Sequence, residues 1–504
     1  MRMNLLRLLV LGALVLGLPL ARAEEVLRWG ADIESGAPYS FKDSANPEKV
    51  IGYEAEMVQA IADRLGMRLQ FYQNNWEGLV EGLKRGDYDI VVNGLEITPD
   101  RREVVDFSRP YYITAEVISV RKDETRIEKF QDLEGKKVGT LAASLAQRIL
   151  AEQEFPFDMI TYSEEVHIYN DLALGRTDAV FLDEPIAIYY SKPNPRLKIV
   201  GEPVGRMEYG VATRKGDPLG AKIDKVVADM IKDGSLRRIL ERWGIWNSMS
   251  AKEWGQTIEP ETSAVEYERY LTTAFAPISW VDRLKRYVSF LPLLGKGALM
   301  TLKISILSMI LAMMVGLIVA LGRLYGPWPA RWLSVGFVEI FRGTPLLIQL
   351  FLIFYGLPHI GIRLDPFISA VLGLGLNYGA CEAENYRAGI LSIPKAQMDA
   401  SRALGMTHQQ SLRHIVIPQA LRLVIPPVTN DFIALLKDSS LVSVITMVEL
   451  TSTYGQLAST YFDYLGIGLL TAAVYFLIGL PFVRLSRKLE NGLDKMNRSA
   501  LPNR

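Results

Sequence analysis

The chain has 504 residues, and its 56 lysine and arginine residues balance 56 aspartate and glutamate residues, so its formal net charge is zero. This balance gives no overall attraction to nucleic acid, and no nucleic-acid partner is predicted. The single cysteine, Cys381, leaves neither a disulfide framework nor a thiolate metal site available. The length allows two or three domains, and the apolar residues are distributed very unevenly between the two halves of the chain.

The first 23 residues are typical of a secretory signal peptide. Arg2 and Arg7 precede the apolar run 8–20, and a small-residue cleavage site follows at residues 21–23. We therefore expect residues 1–23 to direct export of the segment that follows and to be removed. The alternative, an uncleaved anchor, is disfavoured because the apolar run is short for a membrane span.

Residues 24–250 mix charged and apolar residues as water-soluble domains do. Apolar segments with strand character alternate with amphipathic helical segments over residues 25–95, and again over residues 137–234. This alternation predicts two α/β lobes with crossovers between them. The cleft between such lobes is a common binding place for small molecules.

Residues 291–490 have the long apolar runs of a membrane domain. Hydropathy predicts five membrane-spanning helices, at residues 298–322, 333–357, 366–386, 423–447 and 465–484. With the soluble half outside, basic residues concentrate in the inner segments, as the positive-inside rule requires. Residues 251–290 are interpreted as a polar tether followed by a helix at the membrane surface, and residues 491–504 as a cytoplasmic tail.

The soluble half resembles the periplasmic binding proteins for polar amino acids. The resemblance is carried by 52-GYEAEM-57, 76-WEGLVEGLKRGDYDIVVNGLEITPDRREVVDFSRPYY-112, 134-EGKKVGTLAAS-144 and 174-LGRTDAVFLDE-184, within residues 25–247. It implies a two-lobed α/β periplasmic-binding-protein domain that holds a polar amino acid in its cleft.

The resemblance also implies roles for six cleft residues, and Glu96 is a seventh candidate. Arg101 is the expected clamp for the ligand's α-carboxylate, since a guanidinium can make two parallel charge-assisted hydrogen bonds. Asp183, at the end of an apolar strand, is expected to bind the α-ammonium. The remaining candidates are Trp76 against the aliphatic part of the ligand, Asp32 for its side chain, Gly94 and Ser144 for backbone contacts, and Glu96.

Glu96 and Leu145 depart from the family pattern, which has hydroxyl side chains at these positions. Two interpretations of Glu96 remain open. Its carboxylate can pair with Arg101 and weaken α-carboxylate binding, or it can join Asp32 and Asp183 in an acidic cleft suited to a cationic ligand. On this basis we favour cationic amino acids as ligands.

The polar segment 399-DASRALGMTHQQSLRHIVIP-418 lies between the third and fourth predicted spans. It is similar to the cytoplasmic coupling loop of ABC importer permeases, E-A-A-x3-G-x9-I-x-L-P. The segment keeps the spacing of this pattern at Asp399, Ala400, Gly405, Ile415 and Pro418, with Asp in place of Glu, Ser in place of the second Ala and Ile in place of Leu. We expect two short helices, the first ended by Gly405 and the second ending before Pro418. A DNA-binding helix–turn–helix is disfavoured, because a loop between two spans can hardly reach a major groove.

The segments 337-FVEIFRGTPLLIQLFLIFYGLP-358, 382-EAENYRAGILSIPKAQ-397 and 430-NDFIALLKDSSLVSVI-445 lie in the apolar half. Through them this half resembles permeases for polar amino acids, over nearly all of residues 290–490. This resemblance implies an all-α, five-span domain of the type I ABC importers, with residues 387–422 as the coupling loop. It also implies a homodimer of the chain in the inner membrane of a bacterium, with the binding domain on the periplasmic side. A separate ABC ATPase homodimer would bind ATP and Mg, since no G-x-x-x-x-G-K-[ST] loop occurs in this chain.

The chain is therefore expected to be a transporter subunit with no cofactor of its own, and not an enzyme. No Ser-His-Asp arrangement is present, and the four histidines are too scattered to suggest a metal site. Glu382 and Glu384 lie inside the third predicted span, where ionisable residues usually line a pathway or an interface. We hypothesise that they help to accept a cationic substrate.

Two other functions, a ligand-gated channel and a sensor, fit this domain organisation less well. An amino-acid-gated channel of the glutamate-receptor type has a similar two-lobed domain, but there the pore segments interrupt the lobes, whereas here both lobes precede the first span. A sensor would require a cytoplasmic signalling domain, and only 20 residues follow Arg484.

Overall fold

The computed structural model describes residues 25–43, 46–274, 279–461 and 463–499, and the predicted signal peptide lies outside these ranges. The strands are β1 Val26–Ala31, β2 Phe41–Lys42, β3 Val50–Ile51, β4 Arg68–Gln73, β5 Ile90–Val91, β6 Val105–Phe107, β7 Tyr112–Arg121, β8 Lys137–Leu141, β9 Asp158–Tyr162, β10 Ala179–Asp183, β11 Leu197–Tyr209 and β12 Ala212–Arg214. The helices of the N-terminal half are α1 Tyr53–Leu65, α2 Leu79–Arg85, α3 Pro99–Val104, α4 Leu145–Ala151, α5 Glu165–Ala173, α6 Glu184–Tyr190, α7 Pro218–Lys232, α8 Ser235–Arg242, α9 Ser248–Trp254 and α10 Val265–Ala274. Those of the C-terminal half are α11 Trp280–Tyr325, α12 Trp328–Gly343, α13 Leu346–Phe351, α14 Pro366–Leu391, α15 Lys395–Ala403, α16 His408–Ser411, α17 Ile417–Asp438, α18 Leu450–Tyr461 and α19 Tyr464–Ser499.

The N-terminal half consists of two α/β lobes, as predicted. The sheet of lobe 1 has the strand order β4-β1-β5-β12-β6, and the sheet of lobe 2 has the order β11-β7-β10-β8-β9. In lobe 1, β1 is parallel to β4 and β5, and Trp29 from β1 is fully enclosed in the core with Met57 and Ile61 from α1. Burial of such apolar side chains provides most of the stability of each lobe.

Two crossing segments join the lobes, and they lie side by side. The first runs from β6 to β7 and the second from β11 to β12. The backbone N–H of Ser108 donates to the carbonyl of Val211, and that of Tyr111 to the carbonyl of Tyr209, both over 2.9 Å. A pair of hydrogen-bonded connections of this kind forms a hinge about which the lobes can close on a ligand.

The segment after residue 250 forms part of the binding unit, which corrects its interpretation as a polar tether. Helix α10 packs on this unit because Tyr267 and Tyr270 share one face, and Tyr270 is only 8% exposed against Tyr189 and Phe41. Arg269 also pairs with Asp43 over 2.9 Å. The connection that remains between α10 and α11 is therefore short.

The C-terminal half is helical. Two of its helices, Trp280–Tyr325 and Tyr464–Lys488, are long and apolar enough by length and composition to cross a membrane alone. The first begins within the predicted surface helix and continues into the first predicted span without a break. The third and fourth predicted spans correspond to α14 and α17, which among the described residues are not apolar enough to count alone as membrane-crossing helices.

The second predicted span is bent rather than straight. Helix α12 ends at Gly343, and the segment Leu346–Ile360 turns away from it by 108°. Pro345 lies at the break, where a proline cannot donate the backbone hydrogen bond that a continuous helix requires. Together the two segments are apolar enough to count as one further candidate span.

The binding unit contacts the helical half through both lobes. From lobe 1, the guanidinium of Arg85 lies 4.2 Å from the ring centroid of Phe354 and 4.9 Å from that of Tyr355. From lobe 2, the rings of His167 and Tyr464 lie 4.7 Å apart. Because each lobe has its own contact, the relative position of the lobes is linked to the helical half.

Candidate functional site

The cleft between the lobes contains a small, partly open polar cavity with room for about one water molecule. Five of the seven predicted site residues line it, together with residues from both lobes that were not predicted. The lining residues are Tyr39, Trp76, Asn93, Gly94, Glu96, Leu141, Ser144, Glu165, Asp183 and Ile186. The polarity of this lining suits a small polar ligand, and the lobes have to move apart to admit one.

The cleft is closed, since hydrogen bonds cross it from lobe to lobe. The indole N–H of Trp76 donates to the carbonyl of Ala142 over 3.2 Å. The backbone N–H of Leu145 donates to the Glu96 carboxylate over 3.0 Å, and the hydroxyl of Tyr39 donates to Asp183 over 3.1 Å. Contacts of this kind hold the two walls together around the cavity.

Arg101 is brought to the cleft mouth but is already engaged there. Its side chain forms an ion pair with the Glu96 carboxylate and donates to the Glu96 carbonyl over 3.1 Å and to the Ala143 carbonyl over 3.3 Å. Its guanidinium carbon lies 5.4 Å from the ring centroid of Trp76. The first interpretation of Glu96, as a partner of Arg101, therefore describes this closed arrangement.

Asp183 ends β10 at the cavity wall. Its carboxylate accepts hydrogen bonds from the hydroxyls of Tyr39 and Tyr209. Burial and the nearby Glu96 carboxylate raise the pKa of Asp183, although the two tyrosine hydroxyls oppose this shift. A buried carboxylate with a raised pKa has a strong requirement for a positive partner.

Two acidic cleft residues were missed by the sequence analysis. Glu165 lines the cavity at the start of α5, and Glu116 lies opposite Asp183 on the neighbouring strand β7. Burial raises the pKa of both carboxyl groups well above the usual range. In the sequence, Glu116 is an isolated carboxylate within the apolar run 112–121, which has the composition of a buried strand. A carboxylate in such a place could have indicated a functional residue.

Asp32 is near the cleft but does not line the cavity. Its carboxylate accepts hydrogen bonds from the side chain of Gln73 over 2.9 Å and from the backbone N–H of Trp76 over 2.8 Å. It also accepts one from the N–H of Glu34, as the N-cap of a short helical turn. In this arrangement Asp32 positions Trp76, and its predicted contact with the ligand's side chain stays a prediction.

Gly94 and Ser144 both line the cavity. Gly94 has a φ of 62°, a conformation that glycine adopts without strain, and a Cβ there would lie 3.0 Å from the Tyr39 ring. Ser144 is the N-cap of α4 and accepts a hydrogen bond from the N–H of Gln147 over 3.2 Å. Each residue therefore shapes the cavity wall through its backbone position.

Glu54 supports this wall from below. Its Oε1 atom accepts hydrogen bonds from the Gly94 N–H over 2.6 Å and from the hydroxyls of Tyr111 and Tyr53, over 2.5 and 3.2 Å. Burial raises the pKa of Glu54 to about 7, while these three donors oppose the shift. At neutral pH the carboxyl is thus close to the point at which it ionises.

We predict that the unliganded binding unit loses stability as the pH rises from about 4.5 to 8. Because the pKa of Glu54 is higher in the folded chain than in the unfolded chain, its contribution is complete below pH 4.5 and is lost as the pH passes 7. This group alone accounts for roughly 3 kcal/mol of unfolding free energy, as an upper bound. Thermal unfolding of the full chain in detergent measures the effect. The isosteric Glu54→Gln variant should show a flatter profile, and an unchanged slope in this variant would refute the assignment to Glu54.

The predicted coupling loop forms two short helices joined by a turn. Helix α15 ends at Ala403, and Gly405 follows with a φ of 87°, as expected for a residue that stops a helix. The hydroxyls of Ser401 and Ser411 are hydrogen bonded over 2.6 Å and hold α15 and α16 together. Asp399 and Ala400 lie on α15, and Leu404, at the turn, is 83% exposed.

The second helix of this loop does not end before Pro418, which corrects that prediction. A wider helical turn, Leu412–Val416, contains Ile415 and continues from α16 directly into α17. Pro418 lies in the first turn of α17, where its missing N–H is tolerated. Helix α16 is thus continuous with α17, and the turn at Gly405 separates only α15 from it.

The two predicted intramembrane glutamates have different environments. Glu384 forms ion pairs with Arg323 and Arg387, the latter over 2.7 Å. Glu382 is fully buried, and within the described chain neither of its carboxylate oxygens has a hydrogen-bond partner. Asp431, which accepts a hydrogen bond from Asn385 over 2.8 Å, is its nearest acidic neighbour on the facing helix α17. Glu384 is therefore ion-paired, whereas Glu382 has no hydrogen-bond partner among the described residues.

Two family models match the two halves of the chain. The model of the bacterial extracellular solute-binding proteins, family 3, matches residues 27–245. The model of the binding-protein-dependent transport system inner membrane component matches residues 312–495. Together the matches confirm the predicted fold class and the order of the two domains.

Curated relatives match one half each. The L-cystine transport system permease protein TcyB of Bacillus subtilis is 42% identical over 208 residues, which cover 41% of this chain and 89% of that protein. The glutamine transport system permease protein GlnP of Escherichia coli is 37% identical over 202 residues, covering 40% of this chain and 92% of that protein. The L-cystine-binding protein TcyJ of Escherichia coli is 34% identical over 209 residues, covering 41% of this chain and 78% of that protein. All three are transporter components, and none supports the alternative of an ion channel.

Proposed function

Because the chain belongs to the inner membrane components of binding-protein-dependent transport systems and carries a family 3 solute-binding domain in the same polypeptide, we propose that it captures an amino acid outside the membrane and passes it inward through an ATP-driven importer. The binding domain faces the periplasm, and the helical half lies in the bacterial inner membrane. Fusion keeps the captured ligand near the gate at a high effective concentration.

The ligand binds in the closed cleft through its α-groups. Asp183 pairs with the α-ammonium, and Arg101 with the α-carboxylate, after Arg101 gives up part of its bonding to Glu96. Trp76 covers the aliphatic part of the ligand. This assignment is supported by the cavity itself, since Asp183 and Trp76 line it from different lobes and Arg101 lies at its mouth.

The charge of the cleft favours a ligand with a second positive group. The observation that carries this step is that Glu96, Glu165 and Asp183 all line the cavity, whereas Arg101 at its mouth is ion-paired with Glu96. A second ammonium or a guanidinium compensates this acidic excess. Lysine and arginine meet the requirement, and so does cystine, the ligand that the names of TcyB and TcyJ give for those two proteins.

Calorimetric titration of the full chain in detergent with the standard amino acids and cystine tests this function. We expect submicromolar to micromolar binding of at least one ligand with two positive groups and weaker binding of glutamine. In Glu96→Thr the ratio of the two affinities should fall about tenfold, because Arg101 becomes free for any α-carboxylate. Preferred binding of glutamine or glutamate would refute the acidic-cleft assignment, and binding of no amino acid would refute the function.

The helical half requires partners to form a pathway. Two copies of this chain form the pore, and a separate ABC ATPase homodimer, which binds ATP and Mg, contacts the segment 387–422 from the cytoplasm. The rigid connection of α16 to α17 supports this arrangement, since pressure on the loop moves a membrane helix directly. Glu382 lines the internal path, where a buried and unpaired carboxylate favours a cationic substrate.

The contact of Arg85 with the helical half is expected to matter for transfer of the ligand but not for its binding. We predict that Arg85→Ala lowers uptake several-fold and leaves the affinity of the cleft unchanged, because cation–π contacts contribute about 0.5–2 kcal/mol each. Uptake of labelled amino acid by cells and calorimetry of the purified chain measure the two quantities. Lys84→Ala is the matched control, since Lys84 is exposed and pairs with Glu81 instead. Equal loss of uptake in both variants would contradict the role of this contact.

A further inference from the structure

Glu116 is a buried carboxyl group that the proposed binding mode does not use. It is 0% exposed, and within the described chain neither of its carboxylate oxygens has a hydrogen-bond partner. Glu54, which is equally buried, has an oxygen that accepts three hydrogen bonds. A buried carboxylate without donors is costly, so the position of Glu116 requires either a proton or a positive partner.

The group that the fold places beside Glu116 is a second carboxyl group, that of Asp183. Glu116 on β7 is directly paired with Asp183 on the antiparallel strand β10, and directly paired residues point to the same face of a sheet. Asp183 lines the cavity, so Glu116 lies immediately behind the cavity wall. The two carboxyl groups therefore form one acidic pair at the end of the binding cleft.

Among the described residues, the groups that face the pair bring no free positive charge. The titratable and charged groups that face it are Glu165 and Tyr169 from α5, Tyr39 and Tyr209 at Asp183, and Glu96 with Arg101 from lobe 1. Arg101 is held by Glu96, and the tyrosines can donate hydrogen bonds but bring no charge. Two carboxyl groups in such a site cannot both be ionised, and burial together with Asp183 and Glu96 raises the pKa of Glu116 well above its usual range.

We propose that the Glu116–Asp183 pair holds one proton in the unliganded protein and exchanges it for the second positive group of the amino acid. The pair then carries a single negative charge before binding, which suffices for the α-ammonium that every amino acid has. A side-chain ammonium or guanidinium, or the second ammonium of cystine, occupies the place of the proton, which leaves to the solvent. This inference rests on the proposed function and identifies Glu116 as a residue that determines ligand specificity.

The exchange makes binding of different ligands release different numbers of protons. Ligands with two positive groups should release about one proton per molecule bound at pH 7, whereas glutamine should release about none. Calorimetric titration of the full chain in phosphate, HEPES and Tris buffers measures this number, because the buffers differ in their enthalpy of ionisation. The probes are lysine, arginine, cystine and glutamine.

The Glu116→Gln variant tests the residue itself. Its amide is close in shape to a protonated carboxyl group, so the variant should bind glutamine as the wild type does, release no proton with any ligand, and lose about tenfold in affinity for the preferred ligand with two positive groups. Glu152→Gln, a change at an exposed glutamate of the same lobe, should behave as the wild type.

The outcomes separate this inference from the proposed function. Binding of an amino acid with two positive groups and without proton release in the wild type would overturn the inference and leave the proposed function intact. Proton release that persists in Glu116→Gln would overturn the role of Glu116. If no amino acid binds to the wild type, the proposed function itself fails. The wild-type proton count does not depend on any variant folding.

Discussion

Replacement of Asp183 by asparagine lowers the affinity for the amino acid by about 30-fold or more. The side chain keeps its shape and can still accept from the hydroxyls of Tyr39 and Tyr209, but the charge that would pair with the α-ammonium is lost. Removing one partner of a buried, hydrogen-bonded charge pair costs about 2–5 kcal/mol. Calorimetric titration of the full chain with its preferred amino acid measures the change.

The control for this prediction is Asp123→Asn. Asp123 is an exposed residue of the same lobe, and its replacement should leave the affinity unchanged. The unfolding temperature of both variants is recorded so that a loss of binding can be distinguished from a loss of folding. Wild-type affinity in a folded Asp183→Asn variant would show that the α-ammonium binds elsewhere.

Replacement of Leu404 by glutamate abolishes ATP-driven uptake and leaves amino acid binding intact. Leu404 lies at the turn between α15 and α16 and is 83% exposed, so its replacement should not disturb folding. If the turn docks into an apolar groove of the ATPase, the new carboxylate is buried there without a partner, at a cost of several kcal/mol. Uptake of labelled ligand by cells that contain the ATPase, together with calorimetry of the purified chain, tests both parts of this result.

Leu404→Met is the matched control, because methionine keeps an apolar side chain of similar volume. We expect uptake within about twofold of the wild type from this variant. Wild-type uptake from Leu404→Glu would mean that the turn does not enter the ATPase, and it would remove the main support for the residues 387–422 as a coupling segment.

The domain order and both α/β lobes were predictable because the relevant signals are local. Periodicity indicated strand segments within residues 25–95 and 137–234, where β1, β4, β8 and β10 lie, and Gly405 with its positive φ ends α15 as predicted. The long strands β7 and β11 were missed, since their pairing depends on residues far apart in the chain. The bend after Gly343 was missed as well, because hydropathy reports apolar length and is insensitive to direction.

The candidate site was predicted in part. Trp76, Glu96 and Asp183, which the sequence analysis proposed for the site, line one cavity. The resemblance could not indicate that the Asp32 carboxylate accepts hydrogen bonds from Gln73 and Trp76. Glu116 escaped notice because only the register of β7 against β10 reveals its neighbour. Contacts set by tertiary packing, unlike strand and helix periodicity, leave no pattern in the local sequence.

Reconstitution of the chain with the ABC ATPase proposed as its partner tests the central claim most directly. Proteoliposomes with ATP inside and the binding domain outside are supplied with the labelled amino acid, without any added binding protein. The account predicts saturable, concentrative uptake that stops when ATP is replaced by a non-hydrolysable analogue. Uptake without ATP, or an ion current on addition of the amino acid, would contradict it.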